Sequence, residues 1–223
     1  MGLRRSMVDL LRISDLLSIL NLSFGFISIA FSLSGEYWLS LSFILLSILG
    51  DGLDGLVARS LGEGELGERI DSLADMVSFS IAPSALAYSL YRSIYIMPFL
   101  ILYLGCSAVR LSAYHLFKKE DSFVGLPVSA CCLMISSACM FSMDVLLMDI
   151  MLIVLSLDMV SKIPYPKVDG FIGSVALILI LSVLIVREGF DLIFVKILFS
   201  SSMIYVMLGP FYARYLAPRT KIF

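Results

Sequence analysis

Residues 14–33 read SDLLSILNLSFGFISIAFSL, twenty positions with one charged side chain, Asp15. A helix rises about 1.5 Å per residue, so a run of this length reaches across the ~30 Å hydrocarbon core of a bilayer. Outward from it the pattern repeats, with apolar stretches at 37–58, 67–91, 94–117, 124–143, 145–160, 171–186 and 192–216 joined by short connections. These runs are unlike the ~10-residue alternating strands of an outer-membrane barrel. The expected fold is an all-α integral membrane protein of about eight transmembrane helices. Residues 1–13 carry Arg4, Arg5 and Arg12 with Met7, Leu10 and Leu11 between them, the pattern of a short amphipathic interfacial helix. Residues 14–217 then form a single membrane domain.

Composition supports this reading. Of 223 residues, 60% are hydrophobic and 15% charged, with a mean hydropathy of +1.00. Soluble domains carry about a quarter charged residues, so a disordered chain is excluded and a soluble globule is not expected. A net charge of −2 gives no reason to expect nucleic acid as a partner. Cys106, Cys131, Cys132 and Cys139 lie within apolar stretches with no C-x-x-C pair, which makes them small core residues. His115 has no second histidine with which to share zinc. The basic N-terminus leads into the first span with no small-residue cleavage site, so no cleavable signal peptide is expected.

Basic residues orient the spans. With the N-terminus in the cytoplasm, that side receives Arg4, Arg5, Arg12, Arg59, Arg69, Lys118, Lys119, Lys162, Lys167, Arg214, Arg219 and Lys221. The opposite side receives Arg92 and Arg187. Positive charge concentrates on the cytoplasmic side of membrane proteins, which puts both termini there, in a multi-pass protein of the cell membrane.

Acidic residues cluster on the same side. The chain reads Asp51-Gly-Leu-Asp54-Gly55-Leu-Val-Ala58-Arg59 and then Gly67-Glu-Arg-Ile-Asp71-Ser-Leu-Ala-Asp75. On helices, Asp51, Asp54, Gly55 and Ala58 share one face, and Gly67, Asp71 and Asp75 share another. The glycine-bearing segment 60–66 lets the helices fold antiparallel, so that four carboxylates converge. Carboxylates at the edge of hydrocarbon need a positive partner, and hard oxygen ligands at this density select Mg²⁺ or Mn²⁺. Two such ions about 3.5–4 Å apart form a clamp for displacement at phosphorus. The small residues Gly55, Ala58 and Gly67 leave room for a bulky ligand, and Arg59 reaches a phosphate. Arg110 lies well inside a span and needs a partner there, a carboxylate or phosphate of a ligand or an acid such as Asp75. Lys167 follows Tyr165-Pro166 on the same side.

The string D-x-x-D-G-x-x-A-R followed by G-x-x-x-D-x-x-x-D resembles the signature of the CDP-alcohol phosphotransferase family, with every fixed position filled. Asp15, Asn21, Val77–Pro83, Arg110-Leu111, Phe123–Pro127 and Ser161–Lys167 extend the resemblance to its serine branch. Ala113, Ser80 and Ser129 stand where that branch usually has arginine, glycine and proline. The resemblance implies attack of the L-serine hydroxyl on the β-phosphorus of a CDP-linked lipid, with release of CMP. CDP-diacylglycerol and CDP-archaeol both fit. It implies that Asp51, Asp54 and Asp71 hold one divalent cation and that Asp51, Asp71 and Asp75 hold the second. Asp75 also takes the serine proton as the catalytic base, and Asp54, Gly55, Ala58, Arg59 and Gly67 line the CDP site. Arg110 and Lys167 are then the candidates for the serine carboxylate or the lipid phosphate. A homodimer formed through the spans is likewise implied, and Gly105 and Ala108 offer small residues for close packing. Inositol phosphate or glycerol phosphate are alternative acceptors, though these anions call for more cationic residues than Arg110 provides. A cation transporter is a further alternative, which would place its acids at the midplane.

The charge asymmetry gives a direct test. In a background lacking the native cysteines, a cysteine placed in 34–36 should react with a membrane-impermeant thiol reagent from outside the cell, and one placed in 62–64 should not. The opposite pattern would reverse the orientation.

Overall fold

The computed structural model describes residues 11–61, 66–117, 123–166, 170–186 and 192–215. For residues 13–14, 54–61, 114–117, 123 and 170–172 it describes only the backbone. The helices are α1 (Ile13–Leu33), α2 (Tyr37–Leu61), α3 (Gly67–Asp75), α4 (Ala82–Tyr91), α5 (Met97–Phe117), α6 (Val128–Met140), α7 (Val145–Met159), α8 (Gly170–Ile185) and α9 (Ile193–Tyr215). Between α3 and α4 the chain continues as a π-helical turn, Met76–Ile81, and a 3₁₀ turn at Ile94–Ile96 leads into α5. Among the described residues, four stretches are long and apolar enough to cross a membrane: Asp15–Leu33, Gly67–Tyr91, Ile94–Ala113 and Ile193–Tyr215. Tyr37–Leu53, Val128–Met140 and Gly173–Ile185 are shorter apolar helices. The expected amphipathic helix at 1–13 lies outside the described residues as far as residue 10, and α1 begins at Ile13.

One expected span is shorter than its hydropathy suggests. The apolar run 124–143 yields a helix only over Val128–Met140. Pro127 stands at its N-cap and biases the residue before it toward extended backbone. The start of the run instead forms β1 (Phe123–Val124), which pairs antiparallel with β2 (Pro164–Tyr165), Phe123 opposite Tyr165 and Val124 opposite Pro164. Gly125 N donates to Ile163 O at 2.9 Å and Leu126 N to Asp158 O at 3.2 Å, tying two loops at one end of the bundle.

The distribution of polarity is that of a membrane bundle. Large apolar side chains face outward, among them Phe26, Leu33, Ile101, Leu146, Ile178 and Phe211. Serines lie inside, including Ser28, Ser32, Ser40, Ser78, Ser80, Ser107 and Ser136. Ser28, Ser32 and Ser40 form a closed cluster, with Oγ–Oγ distances of 2.9 Å and 2.7 Å to Ser40, where α1 meets α2. In hydrocarbon a hydroxyl without such a partner would be costly, and interhelical pairs of this kind hold apolar helices together. The main apolar core, around Phe79, Leu86, Leu100, Tyr103, Ile135 and Leu152, joins α4, α5, α6 and α7 to the π turn. A second core pairs Leu41 and Leu45 of α2 with Ile180 and Val183 of α8 and Val195 and Leu198 of α9.

A π turn displaces carbonyls from regular helical pairing, and in a bilayer they must find other donors. Here side chains supply them. Tyr103 OH donates to Phe79 O at 2.7 Å, Ser84 Oγ to Ser80 O at 2.7 Å, and Cys132 Sγ approaches Ser78 O at 3.9 Å. On the opposite side α1 comes unusually close. A Cβ on Gly25 would lie 2.5 Å from Ser78 Oγ and 2.8 Å from its Cα, so only glycine admits this approach.

Gly25→Ala must therefore separate α1 from the π turn. It should lower stability by about 1–3 kcal/mol, the usual cost of overpacking. Gly105, with open space around its Cβ position, should tolerate alanine within about 0.5 kcal/mol. Thermal unfolding of both variants in detergent checks the contrast.

Candidate active site

The end of α2 and the whole of α3 carry the acidic residues. Spacings of four put Asp71 and Asp75 on one face of α3, where like charges weaken a helix unless offset. Asp51 of α2 meets them. One carboxylate oxygen from each of Asp51, Asp71 and Asp75 lies within 4.8 Å of the other two, and all three residues are half-buried. Asp54, Gly55, Ala58 and Arg59 lie on the same helix, but their side chains are outside the described residues. Gly67 is the first residue of α3 and is half-buried. Three converging carboxylate oxygens form the donor set of a hard divalent cation, and the chemistry of the cluster fits one.

Asp75 is gripped from α1. Asn21 Nδ2 donates to Asp75 Oδ1 at 3.4 Å, and Ser78 Oγ donates to the main-chain carbonyl of Asn21 at 2.8 Å. Asp75 is the last residue of α3, so the π turn begins immediately after it.

Arg110 is 8% exposed, on the inward face of α5. It lies near Tyr205 of α9 and Cys131 of α6. Beside it lies a network at the end of α7. Asp158 accepts a short hydrogen bond from Tyr165 OH and a second from Ser161 Oγ at 3.2 Å. Tyr165 OH also reaches Val206 O at 3.2 Å, and Tyr205 OH donates to Pro166 O at 2.9 Å. Burial and the bond to Asp158 both raise the Tyr165 phenol above its ordinary range, so it stays a neutral donor. Lys167, the second candidate for the acceptor pocket, lies outside the described residues.

The sequence model of the CDP-alcohol phosphatidyltransferases matches residues 11–163, which include the whole acidic cluster. The chain belongs to that family. It is a transferase and a multi-pass membrane protein. An archaetidylserine synthase of Methanothermobacter thermautotrophicus is 35% identical over 182 residues, 77% of this chain and 77% of its own length. A CDP-diacylglycerol–serine O-phosphatidyltransferase of Methanocaldococcus jannaschii is 34% identical over 163 residues, 73% of this chain and 77% of its own. One from Bacillus subtilis is 37% identical over 133 residues, 56% of this chain and 72% of its own.

Sequence reasoning named Asp51, Asp71, Asp75 and Arg110 as candidate site residues but gave no roles to Asn21, Asp158, Tyr165 or Tyr205. Asp158, an acid at the end of an apolar run, carried a readable signal, since such a residue needs a partner. The Pro164-Tyr165-Pro166 triplet marked extended backbone. Nothing local in the apolar run 192–216 distinguished Tyr205.

A cation bound at the cluster should stabilise the fold by mass action, by about 2.7 kcal/mol at a hundredfold excess over Kd. For a chain of this size that corresponds to a rise of roughly 5–10 °C in Tm. The rise should appear on adding Mg²⁺ or Mn²⁺ to the purified protein and vanish in Asp71→Asn, whose Tm without cation should be no lower than that of the unaltered protein, because one of the mutually repelling carboxylates is gone.

Proposed function

We propose that this transferase moves the phosphatidyl or archaetidyl group of a CDP-linked lipid to the hydroxyl of L-serine and releases CMP, a step of phospholipid synthesis. The observation that carries the reading is the convergence of Asp51, Asp71 and Asp75 inside the segment that matches the family. The serine acceptor is supported by the names of the archaeal and bacterial relatives.

In this reading Asp51, Asp54, Asp71 and Asp75 hold two divalent cations, Mg²⁺ or Mn²⁺. When bound, these ions neutralise charge that develops at phosphorus. Gly55, Ala58 and Gly67 leave space for the nucleotide, and Arg59 meets a phosphate. An Asp75 oxygen accepts the proton of the serine hydroxyl as its oxygen bonds to the β-phosphorus. The bond from that phosphorus to the CMP oxygen breaks, and CMP departs. Arg110, nearly enclosed, supplies a charge-assisted contact to the serine carboxylate, with Lys167 as the second candidate for that role. Eight spans with both termini in the cytoplasm place this chemistry at the cytoplasmic face of the cell membrane, where serine is supplied from water and the lipid from the bilayer.

The test uses purified protein, a CDP-lipid with diacyl or archaeol tails, and a panel of acceptors with Mg²⁺ or Mn²⁺. L-serine should drive stoichiometric CMP release, with inositol phosphate and glycerol phosphate inactive. Release driven only by one of those two would replace the acceptor. Arg110→Gln should lower kcat/KM for serine roughly tenfold to a hundredfold, the effect of one lost charge-assisted contact, with CMP affinity unchanged. Normal serine kinetics with weakened nucleotide binding would move Arg110 to the lipid-phosphate site.

A further inference from the structure

Asn21 sits in α1 with no exposed surface. Its Nδ2 reaches Asp75 Oδ1, while its own Oδ1 is buried with no hydrogen-bond partner among the described residues. Chemistry fixes this orientation, because an ionised carboxylate only accepts and the amide nitrogen must face it. The amide oxygen is left in an apolar bundle. An unsatisfied buried acceptor is costly, and an apolar side chain of the same shape in its place is neutral or stabilising. As packing, leucine would serve this position better than asparagine. What the amide nitrogen does is the remaining reason for the residue.

We propose that Asn21 is a positioning residue for the acidic cluster. By holding Asp75 Oδ1 it fixes the rotation of that carboxylate, so that Asp51, Asp71 and Asp75 are already disposed for a divalent cation. Asn21 is fully enclosed and acts only through Asp75. Its height along α1 is set by the neighbouring contact, where Gly25 admits Ser78 and Ser78 Oγ holds the Asn21 carbonyl. The amide therefore stays in register with Asp75, three residues before Ser78. A ligand ordered in advance loses little freedom when the ion arrives, whereas a freely rotating one weakens binding.

The inference rests on the cation reading of the cluster and is independent of the acceptor. Its test compares the full-length protein with Asn21→Leu in three measurements. These are Mn²⁺ titration by electron paramagnetic resonance, thermal unfolding without cation, and CMP release from CDP-lipid with serine. Asn21→Leu should keep or raise Tm, weaken Mn²⁺ binding about tenfold to a hundredfold, and lower kcat while the KM for CDP-lipid changes by less than about threefold. Asn21→Ser is too short to reach Asp75 and gives the same comparison if the leucine variant does not fold. An unchanged Mn²⁺ titration with a lowered Tm would make Asn21 a packing residue and overturn the proposal. If the original protein releases no CMP with serine while the Mn²⁺ contrast persists, the acceptor assignment falls and the role of Asn21 stands.

Discussion

Three carboxylates held within 4.8 Å of one another repel. At about 5 Å and an effective dielectric constant of about 20, each pair costs about 3 kcal/mol. The surrounding structure resists the separation this repulsion favours. Asp71 and Asp75 are fixed to each other by one helical turn, and α3 continues without a break into a buried π turn anchored by Tyr103, Ser84 and Cys132. Asp75 is further held from α1, which the absence of a side chain at Gly25 brings into contact. Much of the apolar bundle behind the cluster serves as a frame against its electrostatics, and a divalent cation converts the same repulsion into attraction.

Within that apolar frame, small polar groups also face inward. Serine hydroxyls turn inward onto carbonyls and onto one another, while leucines, isoleucines and phenylalanines cover the outside. Water cannot rescue an unmet carbonyl within a bilayer. The departure from α-helical geometry after Asp75 is tolerated because three neighbouring helices each bring a donor to it. Regular helix would not satisfy Phe79 O either, because Pro83 four residues on has no N–H, so Tyr103 supplies the donor that the proline cannot.

Much of this was legible in the chain. Apolar runs marked the helices to within a few residues at most ends, because length and hydropathy decide what can lie in lipid. The aspartate spacings announced a shared face, because helical periodicity alone fixes it. What escaped was pairing between elements. Uniformly apolar runs carry little information about which helix touches which, so the neighbourhood of Arg110 and Tyr205 had no sequence signal. The strand pair Phe123–Val124 with Pro164–Tyr165 joins loops some forty residues apart, and hydropathy assigned the first of them to a span. Asn21 resembled the family pattern, yet its bond to Asp75 depends on Gly25 approaching Ser78, a contact between residues 53 positions apart.

Gly209 stands within α9, one residue before Pro210, and a Cβ there would lie 3.0 Å from Tyr165 Cδ1 and 3.3 Å from Pro166 Cδ. The match to the family model ends at residue 163, just before this seam, while the alignment with the archaetidylserine synthase covers 77% of this chain and so runs past it. The edge of the family-model match therefore lies just outside the segment that packs on α9. In an exchange of parts between relatives, a junction cut between α8 and α9 would join a foreign last helix to a native Tyr165–Pro166 segment and set side chain against side chain where this protein has none. A junction that moves 164–166 together with α9 keeps knob and hollow from the same parent. The last helix thus behaves as a keyed part, inherited together with the short segment that fits it.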